Sequence, residues 1–108
     1  MERGFFTDFY RKEVEWQERQ VAWWNEQVDY YNHMLRKTRR DDRELVKFMW
    51  DQGPLTKIEM ETFGDDYQGP NTKYYIKQRR DAYKGRKKDL DRLEYAKEQL
   101  AYYERRGE

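Results

Sequence analysis

Between residues 8 and 39 the chain contains no Gly or Pro, and its apolar residues recur with a helical period. Val14, Val21, Val28 and Leu35 repeat every seven residues, with Trp24 and Tyr31 offset by three. That spacing is a short heptad-like seam. Trp16, Trp23, Tyr30 and Met34 widen it to roughly half the helix circumference. Arg11, Glu15, Glu18, Glu26 and Asp29 take the opposite side. So broad an apolar face exceeds what one partner helix covers. Either it meets two neighbours within the monomer or it builds a homodimer or larger assembly. Trp16, Trp23, Trp24, Tyr30, Tyr31 and Met34 are therefore the candidate protein interface.

Thr7 or Asp8 suits the N-cap of this first helix. Asp41 with Glu44 has the spacing of a capping box, which predicts a break near Arg40 and a restart. Leu45, Val46, Phe48, Met49 and Trp50 then form a short apolar segment that ends at Gly53-Pro54. Thr56 with Glu59 is a second capping box, opening a short helix over 57–63 that stops at Gly64. Residues 65–70 read as loop. Asn71 or Thr72 caps a last long helix. Its apolar positions are Ile76, Tyr83, Leu90, Leu93 and Leu100, with Ala82 and Ala96. Gly85 inside it costs about 1 kcal/mol relative to Ala and marks a place for a kink. Arg79 and Arg86 fall on the apolar side, where a guanidinium needs an acid or a ring from the first helix, or else an external partner. No strand and no internal repeat is predicted. The expected fold is all-α and a single domain over 1–108, with two long antiparallel helices, about 8–39 and 72–104, joined by a short helix-turn-helix-like unit.

Composition changes the picture in two ways. Charged residues make up 42% of the chain and aromatics 18%, so any core is built largely from rings, and the ring content argues against disorder. With no Cys, no Ser and one His, the commonest nucleophiles and metal-ligand clusters are missing. His33 falls on the polar side of its helix. Asp41-Asp42 and Asp65-Asp66 have local roles, as a cap and an acidic loop. A non-enzymatic protein with no cofactor and no metal is expected. Residues 1–9 lack the apolar stretch of a leader, and no run approaches the ~20 apolar residues of a membrane span. The expected setting is soluble and cytoplasmic, with no membrane partner.

Charge is sorted by position. The chain holds 23 Lys and Arg against 22 Asp and Glu, yet residues 69–88 hold eight basic groups and one acidic. Lys73, Lys77, Arg80, Lys84 and Lys87 are spaced by four, three, four and three residues, with Lys88 beside them. On a helix the first four fall within ~40° of one line. Such a stripe points to a nucleic acid or to an acidic protein surface. The competing reading is a solvated face, or one neutralised by Glu15, Glu18, Glu26 and Asp29 of an antiparallel first helix.

The run Leu45-Val46-Lys47-Phe48-Met49-Trp50-Asp51-Gln52-Gly53-Pro54-Leu55-Thr56-Lys57-Ile58-Glu59-Met60 resembles helix-turn-helix and winged-helix regulators. In that family an apolar helix meets such a turn, then a short capped helix, then a recognition helix. The resemblance spans residues 45–84 and departs from the family in the long turn from Gly64 to Asn71 and in having no wing. It implies that the helix from Thr72 enters the major groove, with Lys73, Lys77, Arg80 and Lys84 near phosphates or base edges. The leading expectation is thus a small nucleic-acid-binding or regulatory protein. The alternative is a protein–protein module working through its aromatic face, as an inhibitor, an adaptor or a virion component. The compact, aromatic-rich, charged style of the chain suits a phage-encoded protein, acting in the host cytoplasm or in the virion.

Overall fold

In this computed structural model residues 4–107 are described; residues 1–3, where the segment read for a leader begins, lie outside them. The chain forms three helices, α1 (Phe5–Asp51), α2 (Lys57–Thr62) and α3 (Pro70–Arg105), and no strand among the described residues. The all-α expectation holds, with two long helices packed against each other. Of the described residues, 4–28 with 81–107 make one compact unit, and 29–80 make a second.

The helices keep a heptad seam along their lengths. On α1 the least exposed positions include Thr7, Val14, Val21, Val28, Leu35 and Asp42, together with Tyr10, Gln17, Trp24, Tyr31 and Thr38. On α3 they are Thr72, Arg79, Arg86, Leu93 and Leu100, with Tyr75, Ala82, Asp89, Ala96 and Tyr103. Both sets alternate steps of three and four, the spacing that keeps one face of a helix against a partner.

Two sequence expectations are corrected here. The break near Arg40 does not occur: α1 runs on to Asp51, with Asp41 exposed and Asp42 turned into the seam. The helix also begins before the expected cap, at Phe5, so that Thr7 lies inside it and is buried. Thr7, Asp8 and Asp41 have the side-chain chemistry of helix caps, yet each sits inside a helix that continues past it. The 57–63 helix is found at Lys57–Thr62 with the full Thr56/Glu59 capping box, Thr56 Oγ1 accepting from Glu59 N at 3.2 Å.

In the first unit, Phe6 stacks on Tyr103 at 4.9 Å and Tyr10 on the same ring at 5.7 Å. Leu93, Ala96, Ala82 and Val28 are buried between the helices. Gly85 does not break α3, which is continuous across it. It makes room instead: a Cβ there would stand 2.3 Å from Trp24 Cζ2. The Trp24 indole lies against the glycine and donates Nε1–H to Asp89 Oδ2 at 2.6 Å. Arg86 is also satisfied internally, donating to Asn25 Oδ1 at 3.2 Å.

In the second unit, Leu35 and Thr72 are fully buried, and Tyr75 packs against Tyr31 and Tyr30. Arg79 donates to Asn32 Oδ1 at 2.9 Å, so each seam arginine meets an amide of α1 rather than an acid or a tryptophan. Asp42 takes hydrogen bonds from Gly69 N at 3.0 Å and from the Thr72 hydroxyl. A carboxylate of α1 thus caps the first turn of α3, where free N–H groups and the helix dipole favour negative charge. This replaces the Asn71 or Thr72 cap expected from the sequence: α3 starts at Pro70, and Thr72 serves as a donor. Trp50 ties the end of α1 to α2 through Nε1–H to Phe63 O at 2.7 Å.

Candidate nucleic-acid interface

The outer face of α3 is set by its seam. With Thr72, Tyr75, Arg79, Ala82, Arg86 and Asp89 turned inward, the residues on the far side of that line must face solvent. Lys73, Lys77, Arg80, Lys84, Lys87 and Lys88 are all exposed. The second unit holds the first three of these and the first unit holds the other three.

Among the described residues, five of the six make no ion pair: Lys73, Lys77, Arg80, Lys84 and Lys88. Asp81, exposed on the same helix at i+4 from Lys77 and i−3 from Lys84, is the one carboxylate among them and pairs with neither. Lys87 pairs with Asp91 at 3.3 Å, one turn along the same helix, and both side chains are more than half exposed. A pair this open to water contributes little and exchanges readily for another anion. Glu15, Glu18, Glu26 and Asp29 make no pair with these cations. Neutralisation of the stripe by these four carboxylates, one of the two competing readings, is therefore not what the described residues do; a solvated face is the other.

Beside the stripe in the first unit, Trp24, Asp81, Lys84, Gly85, Lys88, Asp89 and Arg92 line a shallow hollow of about 460 Å³. Asp89 is occupied by Trp24 and by Arg92 at 3.6 Å. Tyr83, half-exposed, lies next to the stripe with the Arg86 guanidinium 5.0 Å from its ring centre.

A second basic cluster lies where residues 36–48 hold six basic groups against three acidic ones, a block the sequence reading did not take as a site. In the second unit Arg39, Arg43 and Lys47, four residues apart, line a hollow of about 430 Å³ together with the loop from Gly64 to Gln68. The i, i+4, i+8 spacing is visible in the sequence. A break at Arg40 hides it by cutting the helix through the cluster. Asp65 and Asp66 face the same hollow and offset these cations.

The aromatic candidates divide. Trp24 and Tyr31 belong to the seam, and Met34 is half-buried. Trp16, Trp23 and Tyr30 stay about half exposed, at 51%, 49% and 51%. Phe9, at 49%, extends that series by one heptad and was not among the sequence candidates. Arg19 covers part of Trp16, with its guanidinium 5.8 Å from the ring centre.

Among the described residues no group of three or more His, Cys, Asp or Glu is placed to hold a metal ion, and no helix is long and apolar enough to cross a membrane. Comparison with known proteins finds no matching family model, no matching curated protein and no matching solved structure.

Proposed function

We propose that this protein binds nucleic acid, without catalysing a reaction on it, through the exposed cations of α3. The observation that carries the reading is the unpaired state of Lys73, Lys77, Arg80, Lys84 and Lys88 on the solvent side of a regular helix. Exposed cations that make no ion pair, three on α3 in the second unit and two in the first, have no internal partner to give up when they meet phosphates. The near-zero net charge confines attraction to this face, so binding is expected to be strongly weakened by salt.

The test is fluorescence anisotropy with labelled oligonucleotides over a salt series. Wild-type protein is expected to bind at low salt, with an affinity that falls as salt rises. Lys77→Glu with Arg80→Glu should weaken binding at least tenfold and flatten the salt slope by about 1–2, as two phosphate contacts are lost. Circular dichroism should show unchanged helix content, because both side chains are exposed. Equal binding by the doubly reversed variant would remove this surface from the reading.

A second reading has its own observation. Phe9, Trp16 and Trp23 stand about half exposed at heptad intervals along α1 in the first unit, a spacing that places them on one line. Such a row is a surface for a protein partner or for a second copy of the chain.

A further inference from the structure

Tyr83 belongs to α3 within the first unit. It is 40% exposed although it lies beside the seam. One side is covered by the Arg86 guanidinium, 5.0 Å from the ring centre. That guanidinium is held in turn by Asn25 Oδ1 at 3.2 Å. Every one of these residues belongs to the first unit. A tyrosine that merely filled the interface would turn its ring inward, as Tyr10 and Tyr103 do by stacking at 5.7 Å. Here the ring instead has a guanidinium over it and stays partly open to water.

Lys84 follows Tyr83 directly, and Lys87 lies one turn on, at the i+4 spacing that makes two residues neighbours on a helix surface. The site therefore combines an exposed ring, backed by a guanidinium, with cations that have water or a weak pair as their present partners. A cationic ligand is repelled by this set. An apolar ligand leaves the cations unused. An anion without a ring leaves the tyrosine unused. The ligand that uses all of them has flat rings strung on phosphates.

Resting on the nucleic-acid reading above, we infer that the first unit binds single-stranded nucleic acid, with an unpaired base stacked on Tyr83 against its Arg86 backing and the flanking phosphates met by Lys84 and Lys87. In a duplex, stacking on the neighbouring pairs covers both faces of each internal base, so a surface ring reaches a base face at far lower cost in a single strand. Stacking uses the π-face that every base has and asks for no base-edge hydrogen bond, so binding tolerates sequence.

The test compares a labelled 12-nucleotide oligo(dT) with a duplex of the same length, by anisotropy across a salt series. Oligo(dT) is expected to bind more tightly than the duplex. Tyr83→Leu should lose about tenfold in oligo(dT) affinity with the salt slope unchanged, and Tyr83→Phe should retain it. Lys84→Gln with Lys87→Gln should instead lower the slope. As a check that needs no variant, photo-crosslinking of wild-type protein to an oligonucleotide carrying 5-iodouracil should label the peptide containing Tyr83. If duplex and single strand bind alike, Tyr83→Leu is silent and no label reaches Tyr83 while the lysine variants weaken both, stacking is overturned and the basic-face reading survives. If wild-type protein binds neither probe at low salt, both fall.

Discussion

Trp24 shows how one side chain sets the demands on its neighbours. Its indole needs flat space and a hydrogen-bond acceptor, and α3 supplies Gly85 and Asp89 one turn apart. The helix loses about 1 kcal/mol by having Gly rather than Ala at 85. Overpacking a core position costs about 1–3 kcal/mol, and the indole has little freedom to retreat while Asp89 holds its N–H at 2.6 Å. The packing term wins. Gly85→Ala is expected to destabilise the protein by about 1–2 kcal/mol in urea unfolding. In a Trp24→Leu background the same change should become neutral or stabilising, as the propensity gain is released. Stabilisation by Gly85→Ala in the otherwise unchanged protein would show that the indole does not hold this position. In the sequence Gly85 stands out as an anomaly but carries the wrong meaning. A glycine in a helix reads as a weak point until the ring that needs its missing Cβ is in view.

The elements owe their ends and their register to polar groups as much as to apolar ones. Asp42 is the clearest case, receiving Gly69 N–H and the hydroxyl of the fully buried Thr72. Asp42→Ala removes a cap worth about 1 kcal/mol and strands a buried hydroxyl at about 1–3 kcal/mol. A loss of about 2–4 kcal/mol is expected by urea or thermal unfolding. Asp42→Asn keeps an acceptor and should lose less than half as much. Equal effects of the two substitutions would place the contribution in charge rather than in the hydrogen bonds. Val14, Val21, Val28 and Leu35 made the seam visible in the sequence, because apolar residues at a period of seven return to the same side of a helix every second turn. Gln17, Thr38 and Asp42 continue the same seam, yet each is polar and reads as surface or as a helix end. Whether such a residue belongs inside depends on its partner across the interface. Asn25 and Asn32, the partners of Arg86 and Arg79, carry no such signal in the sequence at all.

At the scale of the whole molecule, exposed rings and exposed cations are the two surfaces left over once the seam is made. The aromatic row has a consequence for assembly. If Phe9, Trp16 and Trp23 bind a second copy, Trp16→Ala with Trp23→Ala should convert an oligomer to monomer by light scattering, with helix content retained. A monomeric wild-type protein would leave that row to a different partner. The basic face was legible in the sequence because charge and helical period coincide over residues 69–88. Its freedom from pairing was not, since four carboxylates of α1 were equally available in the sequence to neutralise it. By itself the sequence determined that the chain is helical, that two long helices dominate it, that the first carries a heptad seam and that lysines and arginines line one side of the last. Those properties follow from local period and propensity, which need no knowledge of what lies opposite. Tertiary structure alone decided that α1 runs unbroken past Arg40, that Gly85 is a socket and that the seam arginines meet amides. It also decided that Lys73, Lys77, Arg80, Lys84 and Lys88 make no ion pair, because burial and pairing are properties of two surfaces and the chain records them one at a time.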